Sequence, residues 1–416
     1  MAEQDSNVDL VVIGAGAAGL AAARTARAAG LNVTLLEASH RIGGRAYTEE
    51  LAPGVAFDLG CHWMHSASLN PFVAIADQHG FHYEREDAFE PRVFRAGRWA
   101  NEAEQAELKD FTERNAAAIA RASRKENDAA VIEVTERDSP WTAMFDYWIS
   151  LWTSRDAGRV SAVDTASYRE TDEDWPLKEG YGALVARHFA GEPVSLNAKV
   201  KRIEWGAKDV RVHSVKGRVT ARAAIVTVST NILASGVIAF DPPLPDWKQA
   251  AIHALPLGNH NRICLLYDRD VFGPDAPASI AVMEPDSEPL VLEIRPFGYD
   301  YVVGLTGGGF ADRLERAGVE ASVDLVKEKL KSVFGGEVTK HILRHDVTAW
   351  GGDPWVKGAY SAAAPGQAPS RAELARALDG KLFFAGEATS AEFMATCHGA
   401  YLTGIEAAKD AARLMR

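Results

Sequence analysis

Asp9-Leu-Val-Val-Ile-Gly-Ala-Gly-Ala-Ala-Gly-Leu20, continued by Leu31-Asn-Val-Thr-Leu-Leu-Glu37, decides the fold. Leu10–Ile13 is a short apolar run that suits a strand buried on both faces. Gly14 makes the tight turn, Gly16 lets the backbone approach a pyrophosphate, and Gly19 lets the next helix pack on the sheet. The spacing predicts that helix over 17–29, opened by Ala17 and Ala18 and stopped by Gly30. Leu31–Leu36 supplies a second strand. Glu37 closes it, 18 residues after Gly19, where a carboxylate can accept hydrogen bonds from ribose hydroxyls. Three glycines alone are a weak signal; both strands, the helix and the terminal acid together predict a dinucleotide site.

The next residues bear on which dinucleotide. Ala38-Ser-His-Arg41-Ile-Gly43-Gly44-Arg45 runs from the ribose acid into a second glycine turn flanked by arginines. A nicotinamide site needs nothing there. A flavin dinucleotide lies extended deeper into a protein, and a further cradle of backbone and arginine suits its phosphates and ribityl chain. The plainer reading of Arg41 and Arg45 is a solvated pair beside a turn.

The 416 residues suggest two domains, and a formal net charge of −12 with no basic block argues against nucleic acid and an acidic membrane surface. Cys61, Cys264 and Cys397 show neither metal spacing nor a disulfide framework, as in a reducing compartment. A polar N-terminus and the lack of a run of about 20 apolar residues point away from a signal peptide or membrane span. The expected location is cytoplasmic.

Residues 71–176 read as mostly helical, with Leu108, Phe111, Ala118 and Ala122 on one helix face. Strand patterns return at 199–205 and 223–228, and β-like runs follow at 262–267, 279–283, 290–294 and 301–305. A helix is expected at 323–334, a strand at 381–387 and a closing helix at 398–414. The predicted fold is α/β (α+β): a Rossmann-like nucleotide domain built from 1–75, 178–240 and 350–416. Residues 76–177 and 241–349 form an inserted, discontinuous substrate-binding domain of mixed sheet and helices.

Over nearly its whole length the chain resembles the flavin-containing amine oxidases, above all the polyamine oxidase and lysine-specific histone demethylase branch. The resemblance rests on the opening glycine unit with Glu37, Gly43-Gly44-Arg45, Phe57-Asp-Leu-Gly-Cys-His-Trp-Met-His65 and Leu257-Gly258. It rests further on Trp350-Gly-Gly-Asp-Pro-Trp-Val-Lys-Gly-Ala-Tyr-Ser361, Phe383-Phe-Ala-Gly-Glu387 and Ala395-Thr-Cys-His-Gly-Ala400. It implies a non-covalent FAD, because Ser361-Ala-Ala-Ala-Pro-Gly366 lacks the cysteine to which monoamine oxidases attach their flavin. It also implies an amine substrate and dioxygen as partners, and hydride transfer from the amine α-carbon to flavin N5. A homodimer is left open.

Residue by residue, the resemblance places Gly60, Cys61, His62, Trp63, Trp350, Gly386, Glu387, Thr396 and Cys397 against the cofactor. Val200 falls where the family's backbone meets the adenine, and Thr227 where a strand flanks the cofactor; ordinary strand packing explains either equally well. The start of the closing helix would lie under the flavin ring, its positive dipole end near N1 and O2. Trp355 and Tyr360 match the segment facing the flavin. His65 admits three readings, as base, substrate contact or structural histidine. Aromatic walls would hold an alkylammonium and favour the neutral amine.

Two positions depart from the family. Arg262 stands where a lysine usually holds a water against N5, so it holds that water, turns outward, or marks an enzyme with another electron acceptor. Thr396 replaces an aromatic residue of the monoamine oxidases, leaving a single-walled cage suited to bulkier or secondary amines. The readings carried forward are a polyamine or alkylamine oxidase, an amino-acid oxidase or amine dehydrogenase on the same architecture, and a flavin-binding protein recruited for partner recognition.

Overall fold

The structure, a computed structural model, describes residues 6–85, 90–124 and 128–415. The opening apolar run forms strand Ser6–Ile13, sealed from solvent from Leu10 onward. It pairs in parallel with Val33–Leu36 on one side and with Gly217–Val226 on the other. The second half of Gly217–Val226 pairs in parallel with Leu382–Phe384, while its first half pairs antiparallel with Val210–Ser214. Val200–Glu204 and Ala239–Asp241 complete a seven-stranded sheet. The register sets Ile13 beside Leu36 and Val226, and Val226 beside Phe384. Four parallel strands from distant parts of the chain thus end at one level, where open α/β sheets receive ligands.

Helix Ala17–Ala28 lies against the closing helix Cys397–Met415. Small residues make this possible: a Cβ on Gly404 would stand 2.1 Å from the Ala18 carbonyl oxygen. The closing helix begins at Cys397, one residue earlier than predicted, because Thr396 caps it by accepting from the Gly399 N–H at 3.0 Å.

A second seven-stranded sheet runs Ile342–Val347, His260–Tyr267, Tyr301–Gly307, Leu290–Ile294, Ser279–Met283, Arg92–Arg95, Arg98–Trp99. Its strands alternate between two cores. Ile263, Leu265, Ile280 and Leu292 face helix Val319–Phe334, whereas Cys264, Leu266, Val291 and Val303 face helices Glu102–Ala122 and Thr142–Thr153.

The hairpin Arg92–Trp99 corrects the helical reading of 71–176. Val93 and Phe94 are buried against the sheet, and Gly97, at φ +75°, makes the turn. On helix Glu102–Ala122 the buried face is Leu108, Phe111, Asn115, Ile119 and Ala122. Ile119 takes the place expected of Ala118, because four-residue steps from Phe111 reach 119. Strands of the first sheet lie within 1–75, 178–240 and 350–416, apart from Asp241 at the end of one. Those of the second lie within 76–177 and 241–349. Among the described residues no helix is long and apolar enough to cross a membrane.

Candidate active site

The glycine loop follows the carboxyl end of the first strand. Gly14 has φ +102°, and a Cβ on Gly19 would meet the Gly14 carbonyl oxygen at 1.8 Å, so both positions demand glycine. Thr227 tethers the loop: its hydroxyl lies 2.8 Å from the Ile13 carbonyl oxygen and 3.1 Å from that of Gly14. No side chain caps helix Ala17–Ala28, and no acidic residue sits in its first turn. Glu37 accepts the Ala15 N–H at 2.7 Å and the Ser39 N–H at 2.8 Å, fixing its carboxylate beside the loop with lone pairs to spare. Ala38 follows the end of strand Val33–Leu36, and Val200 opens strand Val200–Glu204, buried in the same core as Ile13 and Leu36.

The second glycine turn docks on the first. Gly16 and Gly43 form a parallel bridge, Gly43 N–H donates to the Ala15 carbonyl at 2.8 Å, and Gly44 passes close to Gly16. Arg41 braces this turn, donating to the Gly44 carbonyl at 2.8 Å with its guanidinium 3.8 Å from the centre of the Tyr47 ring. Arg45 reaches across to the last strand, donating to the Ala359 carbonyl at 2.6 Å and to Glu387 Oε1 at 2.9 Å.

Glu387 is a buried hub. Its Oε2 accepts from the Ser361 hydroxyl at 2.7 Å, the Ala395 N–H at 3.1 Å and the Ser361 N–H at 3.3 Å. Behind it Arg371 donates to Ser361 Oγ at 2.9 Å and grips Asp164 with both ends of its guanidinium. Burial alone would push the Glu387 carboxyl up, but Arg45 and Arg371 overcome it and hold the group below the usual carboxylate range.

Leu257–Gly258 and Ala359–Ser361 zip together: Gly258 N–H donates to the Tyr360 carbonyl at 3.0 Å and Ala359 N–H to the Gly258 carbonyl at 2.8 Å. Two motifs a hundred residues apart in sequence thereby share one wall. Tyr360 donates its hydroxyl to the Leu151 carbonyl, in the last turn of helix Thr142–Thr153, and lies 3.0 Å from His260 Nδ1. Arg262 is 2% exposed and turned inward, 3.1 Å from Glu293 Oε2, with its guanidinium carbon 5.4 Å from the Trp63 ring and 5.6 Å from the Phe57 ring. That excludes the outward orientation. Trp63 touches His62 edge-on at 4.8 Å, and the buried His62 leans on Asp58, 3.1 Å away. His65 Nδ1 lies 2.8 Å from Asp174 Oδ1.

A family model, flavin containing amine oxidoreductase, matches residues 17–412. The chain belongs to this family. It is 29% identical over 434 residues to polyamine oxidase 4 of Oryza sativa subsp. japonica, covering 96% of this chain and 88% of that one. It is 28% identical over 440 residues to lysine-specific histone demethylase 1 homolog 2 of Arabidopsis thaliana, covering 98% of this chain and 58% of the relative. Its fold matches wild-type putrescine oxidase bound to putrescine with a TM-score of 0.82 and 20% identity, covering 99% and 100% of the two chains.

Flavin-containing amine oxidoreductases carry a flavin, and the residues here fit one. Gly16 and Gly386 (φ +141°) present backbone with no other heavy atom closer than 3.9 Å to a notional Cβ, so a ligand can approach. The start of the closing helix holds a buried donor with no hydrogen-bond partner among the described residues: Asn70 Nδ2 donates to His398 Nδ1 at 3.1 Å, which leaves the proton on Nε2. Burial first, and the neighbouring His65 second, pull His398 down to about 3, so it stays neutral. Cys61 and Cys397 interact through their thiols; this contact first, with help from Arg45, pulls the Cys61 thiol below its ordinary value, while the same contact and burial push Cys397 up.

In this amine oxidoreductase some expected wall residues have other tasks. Trp350 is buried, its indole N–H donating to the Leu59 carbonyl at 2.9 Å and its ring closing on Gly60. Trp355 is not brought to the Tyr360–Arg262–His65 group. Asp353 Oδ1 accepts the N–H groups of Trp355 and Val356, at 2.8 Å each, and this turn sends the indole outward, 39% exposed and under Lys199 Nζ at 5.6 Å. Thr396 spends its hydroxyl on the helix cap and the Phe393 carbonyl.

Sequence reasoning overlooks four groups at this site. Asp164 and Arg371 carry no spacing signal, and His260 stands unremarked beside Arg262. Asn261 holds the Trp350 N–H on its Oδ1 at 3.1 Å while Glu315 binds its Nδ2 at 2.8 Å. Alternation along 260–267 marks His260 and Arg262 as one face, and that was the available clue.

Proposed function

We propose that this chain is an FAD-dependent amine oxidase that binds its cofactor without a covalent link and oxidises a polyamine or related alkylamine. The observation that supports the reading is a glycine loop at four parallel strand ends, tied through Arg45 to Ala359 and Glu387 and so to a wall carrying the Tyr360–His260 and Arg262–Trp63 contacts. The polyamine and putrescine oxidases among its relatives support the choice of substrate.

The uncapped helix at Ala17 and Arg45 would hold the diphosphate, Glu37 the ribose, and the Gly60–Trp63 segment with Thr396–Cys397 the ring end. Bound FAD supplies hydride acceptance at N5 from the amine α-carbon and reoxidation by dioxygen with release of hydrogen peroxide. The chain's task is to orient the C–H bond, exclude water and receive the amine in its neutral form. The aromatic lining of Tyr360 and Trp63 serves all three. His65 is raised above its ordinary range because Asp174 overcomes the effect of burial, and the two form a polar pair beside the aromatic lining. Residues 1–75, 178–240 and 350–416 act as the FAD-binding domain, and 76–177 with 241–349 as the substrate domain.

A second reading, an amino-acid oxidase or an amine dehydrogenase with a non-oxygen acceptor, draws support from the inward, Glu293-paired Arg262. An anaerobic screen of amines against their α-carboxylated analogues, following loss of flavin absorbance, tests both. Bleaching by alkylamines alone, reversed promptly when dioxygen is admitted, supports the first reading; bleaching by amino acids, or by alkylamines without reversal in dioxygen, supports the second; and no bleaching by either class sinks both. Acid precipitation should release the yellow chromophore.

A further inference from the structure

We propose that His260 determines which amines are accepted, its Nε2 lone pair receiving a hydrogen bond from an N–H of the substrate amine. The inference rests on the amine-oxidase reading above and follows from counting protons. The Leu151 carbonyl can only accept, so the Tyr360 hydroxyl hydrogen is committed to it. The 3.0 Å contact between Tyr360 Oη and His260 Nδ1 then has its hydrogen on the imidazole. Nδ1 is therefore the N–H nitrogen, and Nε2 carries a lone pair.

That lone pair is available. Besides Tyr360, the ring's hydrogen-bond partner is the Leu151 backbone, whose carbonyl can only accept and so engages the ring N–H; among the described residues no side-chain contact is made by Nε2, and the residue is half-buried. The ring lies beside Tyr360, centroids 5.8 Å apart, and on the same strand face as Arg262. Burial first, then the Arg262 cation, with His65 also contributing, drive His260 down to about 3. The charged groups around it are Arg262, paired with Glu293, and His65, paired with Asp174. The imidazole consequently stays neutral through the working range. It is too weak a base to take a proton from an ammonium, but it remains an acceptor. A neutral primary or secondary amine has an N–H to donate; a neutral tertiary amine has none. The site accordingly favours primary and secondary amines at this contact.

Two measurements test this. Nitrogen NMR of the FAD-loaded protein without amine should show His260 as the Nδ1–H tautomer; an Nε2–H tautomer would overturn the proposal whatever the enzyme's substrate. Anaerobic flavin reduction is then compared for pentylamine and N,N-dimethylpentylamine in wild type, His260→Leu and His260→Gln. The expected result is about tenfold weaker binding of pentylamine by His260→Leu, the value of one ordinary hydrogen bond. N,N-dimethylpentylamine should be unaffected, and His260→Gln, which keeps an acceptor at similar reach, should recover most of the loss. Equal loss for both amines, or no rescue by glutamine, would reduce His260 to a packing residue. Failure of the wild type to oxidise any amine would instead strike at the function itself, leaving the tautomer result to stand.

Discussion

Arg45 and Glu387, 342 residues apart, form an ion pair at 2.9 Å that ties the second glycine turn to the end of the last parallel strand. Glu387 has both oxygens engaged by protein donors, so its contribution is to fix Arg45, Ser361 and the approach to the closing helix. Glu387→Gln keeps the shape and removes the charge. Loss of one charge-assisted bond, about 2 kcal/mol, should weaken FAD binding by roughly thirtyfold. Fluorescence titration of cofactor-free protein with FAD measures it, and unchanged affinity would detach the pair from the cofactor.

The same residue sets an acid limit. Its folded pKa lies below the unfolded value near 4.3, so its stabilisation is present above about 4.3 and is lost as pH falls through the folded value. Stability from this group should be flat from about pH 5 upward and decline below about 4, with Glu387→Gln removing that part of the acid limb in urea melts.

Arg262 and Glu293 are both nearly sealed from water, with side chains 2% and 9% exposed. Glu293→Leu leaves an uncompensated buried guanidinium and should destabilise the protein by about 3 kcal/mol or more. The double variant Arg262→Met/Glu293→Leu should recover most of this, since an apolar pair fills the space between Phe57 and Trp63. Additive losses in urea melts would show that the two residues do not act together. In stopped-flow reoxidation by dioxygen, an unchanged rate after Arg262→Met would exclude the arginine from that half-reaction.

His65 behaves oppositely to Glu387. Burial lowers its pKa, but Asp174 more than restores it and the folded value is raised. Its stabilisation is complete below about 6.5 and fades as pH climbs through the folded pKa. Both side chains are more than a third or close to a third exposed, so screening keeps the effect small. Asp174→Asn should shift the His65 ring resonances to titrate at lower pH by proton NMR; an unmoved titration would contradict the pairing.

Gly404→Ala should separate the first and last helices, because its Cβ would stand 2.1 Å from backbone that cannot yield. We expect a loss of about 2 kcal/mol in melting experiments and impaired FAD retention, whereas Gly318→Ala serves as the contrast: strained at φ +98° but with open space around it. Retention of FAD by Gly404→Ala would show that the helix pair does not shape the cradle.

The nucleotide-binding unit is legible in the sequence because each of its constraints is local: a buried run, three glycines at fixed offsets, an acid at the next strand end. The second sheet is less so. Arg92–Trp99 lies among helical patterns and becomes strand only by pairing with Ser279–Met283, a tertiary contact that overrides its surroundings. The fate of Trp355 hinges on one Asx turn at Asp353, and that of Arg262 on a partner 31 residues onward. Resemblance brings the site's segments together by name; which atoms of Tyr360, His260 and Leu151 meet is decided by the packing of a helix end against a strand, and no spacing encodes that.

The four parallel strands whose ends form the cradle are synthesised at very different times, since the first strand pairs with Val33–Leu36 and Gly217–Val226, and the latter with Leu382–Phe384. Val33–Leu36 emerges from the ribosome almost at once, Gly217–Val226 midway, and Leu382–Phe384 near the end. A nascent chain carrying the full glycine signature therefore lacks the fourth parallel strand until Leu382–Phe384 is free. On the proposed cofactor site, capture should be a late event in biogenesis, and a polypeptide terminated before residue 382 should keep the motif and fail to hold the flavin.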